Sequence, residues 1–383
     1  MAGSAVVVGG GIGGLAAAVA LFRQGWRVTV LERAPDFTEV GAGLTLWSNA
    51  LAALDEIGLG DQVRDTGSIS GPGGTRTPDG TWLNRIPAGQ IEKQLGVTAV
   101  GIHRATLVDI LRAPLAERAL VAGAEVVDVH PDSPVSVAYL RDGEPHQVRA
   151  EVVVAADGIN SHVRRNLWER PGRVRYSGAT AWRAVTADPW PEELAAGLTW
   201  GRGMEFGTVP LGDGRVYWFG AVNAPQGGHG DDELAEVRRR FGHWHDPVPR
   251  LMDATPPETV LRNDLFHLSP GPDSYVRGRV VLVGDAAHAM TPHLGQGACQ
   301  AIEDGVVLAG LLADADDLDD ALAEYDRLRR SRAQKVARMS RAAARMGQQL
   351  ANPLAVAVRN RLIRVTPPRR SLAPMAKVSS WRP

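Results

Sequence analysis

Cysteine and net charge are the two features that this 383-residue sequence most clearly lacks. Its one cysteine, Cys299, excludes an internal disulfide and is typical of a reducing compartment; we expect a small buried side chain rather than a catalytic thiol. The 42 lysines and arginines nearly balance the 43 aspartates and glutamates. The resulting net charge of −1 favours neither nucleic acid nor an anionic membrane as a partner.

Long apolar segments are also missing. No run reaches the roughly 18 apolar residues that a membrane-spanning helix requires. The N-terminus leads directly into a strand pattern, without the basic segment and cleavage site of a signal peptide. We therefore expect a cytoplasmic protein with no membrane partner. Its length and its hydrophobic fraction of 44% are sufficient for two domains with a substantial core.

A glycine-rich turn lies between the first apolar run and the first predicted helix. The run Ala5–Val8 has no polar interruption and predicts a buried parallel strand. The glycines of a GxGxxG pattern follow it. Gly9 permits a tight turn, Gly11 lets the backbone approach a pyrophosphate, and Gly14 lets the helix pack closely on the strand. The pattern predicts a dinucleotide site.

The elements after this turn complete the dinucleotide-binding unit. Leu15–Gln24 predicts a helix whose N-terminal amides and dipole face the phosphates. A strand over 27–31 ends in Glu32, which can accept hydrogen bonds from a ribose 2′-hydroxyl. Ile12 within the motif and Arg33 beside the acid are predicted to contact the same cofactor.

Two further buried strands end in an acid. The strand over 151–156 leads to Asp157, within the pattern DGxxSxxR, and a later strand leads to Asp285, within the segment Gly284–Gly297. Ligands of an open α/β sheet bind outside the carboxyl ends of its strands. We therefore expect Glu32, Asp157 and Asp285 to face one cofactor.

These ordered motifs resemble the single-component FAD-dependent aromatic hydroxylases, which have the p-hydroxybenzoate hydroxylase type fold, from Ala5 to about Arg338. The most similar branch contains salicylate, urate and 6-hydroxynicotinate hydroxylases and zeaxanthin epoxidases. The resemblance implies bound FAD and NAD(P)H as a transient reductant, and the sequence has no second GxGxxG pattern for a nicotinamide domain. It further implies that a flavin C4a-hydroperoxide, formed with O₂, hydroxylates an electron-rich aromatic or polyketide-like small molecule.

Two other functions stay open at this point. One is epoxidation or Baeyer–Villiger oxygen insertion on an alicyclic or polyene substrate; the other is flavin binding without turnover. A monomer or a homodimer is expected. The sequence contains neither a recognisable metal site nor a conventional catalytic triad.

The resemblance assigns more residues to the FAD site. They are Gly43, Arg104, Val127, Asp157, Asp285, Gly295 and Gly297. Gly43 lies in a glycine-rich loop over 38–47, and the turn geometry of that loop could also explain why a glycine is present. Arg104 could form a salt bridge on a helix predicted over 107–122 instead of contacting the cofactor. Amides of the helix starting near Gln296 can stabilise negative charge on a reduced flavin. Arg164 either serves the pyrophosphate or forms a structural ion pair with Asp157.

The predicted substrate domain is built on a sheet with an antiparallel hairpin. Its strands are Thr199–Pro210 and Arg215–Val222, with extended segments flanking them. Side-chain alternation along the two strands directs Thr208, Tyr217 and Phe219 toward the flavin.

The candidate substrate contacts lie on this sheet. In urate-hydroxylase relatives, a tyrosine at the position of Tyr217 touches the substrate. Those relatives carry an arginine where this chain has Glu205, and this departure argues against urate. Arg183 resembles part of a WRG-like element, although an ion pair that supports the sheet would equally explain it.

The loop after Asp285 supplies the other candidate catalytic residues. They are His288 and Pro292. His288 and His293, which follows the proline, could each titrate near neutral pH, but a structural role is favoured for both.

The predicted fold is α/β, with a Rossmann-like FAD-binding domain, an inserted and mainly antiparallel β-sheet substrate domain, and a long C-terminal helix. The FAD-binding domain is discontinuous (1–70, 101–172 and 270–320), the substrate domain comprises 71–100 and 173–269, and the helix and tail comprise 321–383. Ser48 or Asn49 is expected to cap a helix, and the tail after Pro367 to be irregular. The long helix over 322–350 is expected to bury a stripe of four residues: Val336, Met339, Ala343 and Met346.

Overall fold

The computed structural model describes residues 3–37, 42–67, 73–87, 89 and 99–382, except for the side chains of residues 368, 369, 371 and 372. Residues 38–41 of the predicted glycine-rich loop lie outside this range, as do 68–70 of the predicted FAD-binding domain and 71, 72, 88 and 90–98 of the first predicted substrate-domain segment. In the part of the chain that is described, no helix is long and apolar enough to cross a membrane.

Eighteen strands are present among the described residues. In chain order they are β1 (Ser4–Val8), β2 (Arg27–Glu32), β3 (Gly43–Leu46), β4 (Gly73–Arg76), β5 (Trp82–Ile86), β6 (Val100–His103), β7 (Leu120–Ala122), β8 (Ala124–His130), β9 (Val135–Arg141), β10 (Glu144–Ala150), β11 (Val152–Ala155), β12 (Val174–Val185), β13 (Gly197–Trp200), β14 (Met204–Pro210), β15 (Val216–Asn223), β16 (Leu261–Leu268), β17 (Val276–Arg277) and β18 (Val280–Leu282).

The described helices connect and cover these strands. In chain order they are α1 (Ile12–Arg23), α2 (Ser48–Glu56), α3 (Gly60–Asp65), α4 (Arg104–Arg112), α5 (His162–Leu167), α6 (Glu233–Phe241), α7 (Val248–Asp253), α8 (Asp285–His288), α9 (Gly297–Ala313), α10 (Leu318–Met346), α11 (Pro353–Val365) and α12 (Pro368–Ser379), with 3₁₀ turns at Glu117–Ala119, Pro257–Thr259 and Pro292–Leu294.

A six-stranded sheet carries the predicted dinucleotide-binding unit. Its order is β17-β18-β11-β1-β2-β7, and every pairing is parallel except that of the edge strand β17. The valines of β1 and β11 are buried in one hydrophobic core with residues of α1, of α9 and of the three-stranded sheet β10-β9-β8. A Cβ on Gly305 of α9 would lie 2.6 Å from the backbone nitrogen of Ala17, so this glycine lets α9 pack closely on α1. The predicted Rossmann-like organisation is confirmed.

A seven-stranded sheet carries the predicted hairpin. Its order is β16-β12-β15-β14-β13-β4-β5, antiparallel except where β13 meets β4. The hairpin is confirmed as β14 paired with β15, whereas the N-terminal part of the predicted strand is the separate strand β13. A turn at Gly201–Gly203, with φ +70° at Gly203, divides them. The α/β fold with its antiparallel sheet is confirmed; the exact domain boundaries stay a prediction.

The helix predicted over 107–122 is wrong in its second half. Helix α4 ends at Arg112, because Pro114 cannot continue it. The residues after the proline form a 3₁₀ turn and then β7, which joins the parallel sheet beside β2.

The C-terminal region also departs from the expectations. The long helix α10 is confirmed and Val336 is buried as expected, but Met339 and Ala343 are only partly buried. The residues that α10 buries from 333 to 344 are Ala333, Val336, Ala337, Ser340 and Ala344. Met346 is 68% exposed, since it occupies the last turn, away from the partners of those residues. The tail is not irregular: Pro367 precedes α12, whose own first residue is a proline, where its missing N–H costs nothing.

Ser48 and Asn49 do not cap α2, which starts after Trp47 without a side-chain cap. The Ser48 hydroxyl donates to the Ser379 carbonyl, and the Asn49 amide donates to Gln296 and Glu303. Both side chains are turned inward because they connect α2 to other helices.

Candidate active site

The three predicted motifs meet at the carboxyl edge of the six-stranded sheet. β1 pairs with β11 and β2, and β11 pairs with β18, so the ends of four strands are neighbours. A Cβ on Gly9 would lie 2.5 Å from the Ala156 carbonyl oxygen, and one on Gly13 would lie 3.7 Å from the Cα of Gly284. The first motif therefore touches both others, and larger side chains would separate them.

The first motif has the geometry of a phosphate site. Gly9 adopts φ +105°, and a Cβ on Gly14 would lie 1.9 Å from the Gly9 carbonyl oxygen. Helix α1 begins after Gly11 at the buried Ile12 without a side-chain cap, so its first amides are open to an anion. Glu32 accepts hydrogen bonds from the amides of Gly10 at 2.6 Å and Ala34 at 2.8 Å, and each carboxylate oxygen has a second lone pair for a ribose hydroxyl.

The second motif holds one carboxylate oxygen free. Asp157 accepts from the Val163 amide through Oδ2, whereas its buried Oδ1 has no hydrogen-bond partner among the described residues. Arg164 does not form a hydrogen-bonded ion pair with this acid; it donates to the carbonyls of Ala286 and Ile159, each at 2.6 Å. Arg164 thus joins the second motif to the third.

The third motif presents an exposed acid. Gly284 adopts φ +58° and turns the chain so that Asp285 is exposed at the start of α8. Burial lowers the pKa of the Arg104 guanidinium, an effect that the charge of Asp285 opposes and that of Arg183 reinforces. The charges of Arg104, Arg183 and Asp285 therefore influence one another at this edge of the site.

A buried charge network supports this turn. Asp304 accepts from the Gly284 amide at 2.8 Å, lies 2.6 Å from Nε2 of His288, and accepts from Nε of Arg329 at 2.7 Å. Burial alone would raise the pKa of Asp304, but His288 and Arg329 hold it below its usual value. His288 is thus bound into the protein interior. Its position matches the structural role favoured from the sequence, although its catalytic role stays untested.

The loop before α9 has the features of a site for the flavin ring. Pro292 and Gly295 are exposed, and Gly295 adopts φ +59°. The buried indole N–H of Trp47 has no hydrogen-bond partner among the described residues, and a Cβ on Gly295 would lie 3.0 Å from it. Helix α9 starts at Gly297 without a side-chain cap, which leaves its first amides for negative charge.

The substrate sheet meets the dinucleotide unit at Gly43. A Cβ on Gly43 would lie 2.4 Å from the Cβ of Tyr217, so these two residues are in close contact. Tyr217 is buried, and burial raises the pKa of its phenol while the charge of Arg183 opposes that rise. Phe219 lies on the same face of β15 as Tyr217, and it pairs with Arg183 of the neighbouring strand β12.

The prediction for Thr208 is wrong. Thr208 pairs with Trp218, whereas Tyr217 pairs with Val209, so the threonine points to the opposite face of the sheet. Its hydroxyl donates to the Ala195 carbonyl there. The prediction was off by one residue along the strand, and a shift of one residue moves each side chain to the opposite face of the sheet.

Two predicted cofactor contacts lie at the periphery. Val127 is 40% exposed, and its carbonyl accepts a hydrogen bond from His162 at 2.9 Å. Arg33 is exposed beside Glu32. Their contact with the cofactor stays a prediction, as do the individual roles of the other named residues.

Taken together, the donors and acceptors suit FAD. The uncapped α1 suits its pyrophosphate, Glu32, Asp157 and Asp285 suit its sugar hydroxyls, and the uncapped α9 suits its ring. Sequence reasoning did not assign Trp47, Asp304 or Arg329 to this site, because none belongs to a local motif. Among the described residues, no group of three or more histidine, cysteine or acidic side chains is placed to hold a metal.

This fold and site define a flavin-dependent oxidoreductase. Residues 3–340 match the sequence model of the FAD binding domain family, and the chain belongs to that family, within the single-component FAD aromatic hydroxylases. It is a flavoprotein monooxygenase with FAD as its cofactor, and NAD(P)H is the reductant typical of the family.

Named relatives cover nearly the whole chain. Aurachin C monooxygenase/isomerase from Stigmatella aurantiaca is 38% identical over 368 residues, 94% of this chain and 93% of the relative. 2-Heptyl-3-hydroxy-4(1H)-quinolone synthase from Pseudomonas aeruginosa (strain UCBPP-PA14) is 32% identical over 369 residues, 94% of each chain. The crystal structure of Klebsiella pneumoniae HpxO complexed with FAD and uric acid has a TM-score of 0.90 at 27% identity, covering 98% of this chain and 96% of that chain.

Proposed function

We propose that this monooxygenase oxygenates an uncharged nitrogen heteroaromatic compound of the quinolone class. The observation that carries the proposal is the sheet face that contacts Gly43. It presents the apolar and aromatic side chains of Val185, Val209, Tyr217 and Phe219. Such a face suits a flat ring with an apolar substituent. The name of the quinolone synthase relative points to the same compound class.

The chain's own residues would position cofactor and substrate. The amides at the start of α1 bind the pyrophosphate, and Asp157 and Asp285 accept hydrogen bonds from sugar hydroxyls. The first amides of α9 stabilise negative charge at the flavin ring. Tyr217 and the face around it cover the ring and exclude water. Bound FAD itself supplies hydride acceptance from NAD(P)H and activation of O₂.

The first test concerns the cofactor. Purified protein should be yellow, and Asp285→Ala should weaken FAD retention by roughly 10- to 100-fold, since a hydrogen bond to a charged group contributes about 1.5–3 kcal/mol. Asp316→Ala, which changes an exposed acid in the link before α10, serves as the control and should retain FAD normally. Unchanged FAD affinity in Asp285→Ala would show that this acid has been assigned wrongly.

The second test concerns the reaction. A panel of 4-quinolones, phenols and polyketides is screened for stimulated NAD(P)H oxidation, and the products are analysed by mass and structure. A quinolone should give the strongest stimulation and a product heavier by one oxygen atom. The position of that atom separates ring hydroxylation from epoxidation and Baeyer–Villiger insertion. Stimulation only by compounds outside the quinolone class would refute the proposed substrate.

The cellular location and the oligomeric state of the protein are also proposals. A cytoplasmic location rests on the single cysteine, which is buried and whose pKa is raised by that burial to about 12. We also expect a monomer or homodimer, which light scattering of the holoenzyme can test. A small molecule and O₂ are the expected reaction partners besides the reductant.

A further inference from the structure

A buried carboxyl–imidazole pair joins the substrate sheet to the loop before α9. Glu205 lies on β14, and His293 lies in the 3₁₀ turn Pro292–Leu294. Nε2 of His293 is 3.7 Å from Oε1 of Glu205, and the two side chains are 3% and 6% exposed. The carboxyl group of the substrate sheet and the imidazole of the loop before α9 therefore lie within ion-pair distance of each other, one on each side of the proposed substrate position.

The hydrogen-bonding capacity of this pair is only partly used. Neither ring nitrogen of His293 has a hydrogen bond of good geometry among the described residues, although the Gln348 side chain interacts with the imidazole and leaves its own Oε1 unpaired. Glu205 accepts one hydrogen bond through Oε2, from the Trp200 indole at 3.2 Å. Buried polar groups without partners are costly and rare in native proteins. The unpaired ring nitrogens of His293, which lie near Glu205 and Gln348, therefore indicate that a further polar group belongs beside the pair.

The pair lies on the face that would cover the substrate. Glu205, which pairs with Ala221, is on the same side of the sheet as Val209, which pairs with Tyr217. Between them on β14 lies Gly207, where a Cβ would lie 2.2 Å from Cζ of Phe219, so the phenyl ring covers the glycine next to the acid. The pair therefore lies at one end of the sheet face that carries Tyr217 and Phe219.

The pair carries no positive charge and only part of a negative charge near neutral pH. Burial raises the pKa of Glu205 to about 7, and burial lowers the pKa of His293 to about 4. An uncharged imidazole and a partly protonated carboxyl can accept a hydrogen bond from an N–H or O–H group, but they cannot balance a substrate anion. This chemistry is opposite to that of an arginine at the same place.

We propose that Glu205 and His293 are specificity-determining residues that accept a hydrogen bond from a ring N–H or ring hydroxyl of an uncharged substrate. The proposal rests on the proposed function, because it names the polar end of the same substrate site. The pair selects rings that carry a hydrogen-bond donor. Its loss changes which ligands bind, rather than whether FAD binds.

The experiment measures ligand binding without turnover. Oxidised holoenzyme is titrated, without NAD(P)H, with 2-heptyl-4(1H)-quinolone and its N-methyl derivative, and with 2-naphthol and 2-methoxynaphthalene. The change in flavin absorbance reports Kd. Each pair of compounds differs in one hydrogen-bond donor. We expect the donor-bearing member to bind the wild type at least about tenfold more tightly.

Variants test which residues cause the preference for the donor-bearing ligand. Glu205→Leu should reduce it to about twofold or less, and Glu205→Gln, which keeps one acceptor oxygen, should retain part of it. His293→Leu carries the same test if Glu205→Leu does not retain FAD. The matched control is Glu233→Leu: Glu233 also accepts a tryptophan indole hydrogen bond, from Trp182, but lies on α6. The control should keep the full preference.

The outcomes separate the two proposals. An unchanged preference in both Glu205→Leu and His293→Leu, or an equal loss in Glu233→Leu, overturns the role of the pair while the proposed reaction stands. An intact, pair-dependent preference without NAD(P)H-dependent oxygenation of a quinolone overturns the proposed reaction alone. If no compound perturbs the flavin spectrum, both proposals are overturned.

Discussion

Replacing Arg329 with methionine would remove a cation that lies between two fully buried acids, Glu303 and Asp304. The Arg329 side chain is 2% exposed, and those of Glu303 and Asp304 are 0% exposed. Its guanidinium donates to Glu303 and Asp304 and, at 3.1 Å, to the Gln300 carbonyl. Methionine fills a similar volume but makes none of these bonds, so both acids lose a partner.

The size of the effect follows from burial. Removing one partner of a buried ion pair destabilises a protein by about 3–5 kcal/mol. In large domains each kcal/mol lowers Tm by roughly 2 °C. We therefore expect Tm to fall by about 6–10 °C in Arg329→Met.

The assay is thermal unfolding at one fixed FAD concentration, because bound cofactor raises Tm by mass action. Arg327→Met is the matched control on the same helix. Arg327 pairs with Glu324 at the surface, where its side chain is 68% exposed, and an exposed pair of this kind contributes little to stability. The control should lower Tm by no more than about 2 °C.

The pH dependence tests the cause. In the wild type the pKa of Asp304 is lowered, so its ionised form contributes stability that is lost only as pH falls through the acidic range. Without Arg329 the pKa of Asp304 should rise, and protonation at mildly acidic pH would remove the stranded charge. The Tm difference between wild type and variant should therefore narrow from about pH 8 to about pH 5. Equal losses in Arg329→Met and Arg327→Met, or a constant difference across pH, would refute the reasoning.

Three further predictions concern the substrate side of the site. Gly43→Ala should lower Tm and weaken ligand binding, because its Cβ would lie 2.4 Å from that of Tyr217, whereas Gly310→Ala, with open space around the helical glycine, should be neutral or slightly stabilising. Glu205 keeps its proton in the folded state between its usual pKa of 4.5 and about 7, so its own contribution to stability falls by up to about 3 kcal/mol as pH rises through that window; because His293 contributes the opposite slope, the test is the Tm difference between wild type and Glu205→Gln, which should shift in favour of the variant as pH rises. His293 stays uncharged in the folded state between its usual pKa of 6.5 and about 4, so its own contribution to stability is lost as pH falls through that window; a Tm difference between wild type and His293→Gln that does not shift in favour of the variant as pH falls would contradict its buried, uncharged state.

Local sequence patterns predicted the dinucleotide unit well, because each pattern reflects the backbone around it. Unbroken valine runs predict buried parallel strands, and the GxGxxG glycines meet backbone that no larger side chain could approach. The three motifs were correctly expected at one edge because parallel strands share their carboxyl ends. The resemblance to FAD-dependent hydroxylases then predicted the cofactor and reaction class that the family comparison shows.

Predictions failed where a neighbour in space decides the outcome. Thr208 was assigned to the wrong face because strand register, set by pairing with β15, cannot be seen in an isolated strand. Met346 was expected to be buried from helical spacing, but the last turns of α10 bury Ser340, which donates to the Thr291 carbonyl, and Ala344 instead. The hydroxyl of Ser48 caps nothing because Ser379, distant in sequence, accepts its hydrogen bond.

The sequence by itself determined the α/β class, the glycine-rich phosphate turn and the acids at the strand ends, because these depend on contacts between near neighbours in the chain. Tertiary structure alone decided which side chains complete the site. Asp304 and Arg329 support the Gly284 turn from two later helices, and Glu205 meets His293 across 88 residues of chain only because β14 and the loop before α9 approach each other. Such pairs depend on packing between distant elements, so no local pattern contains them.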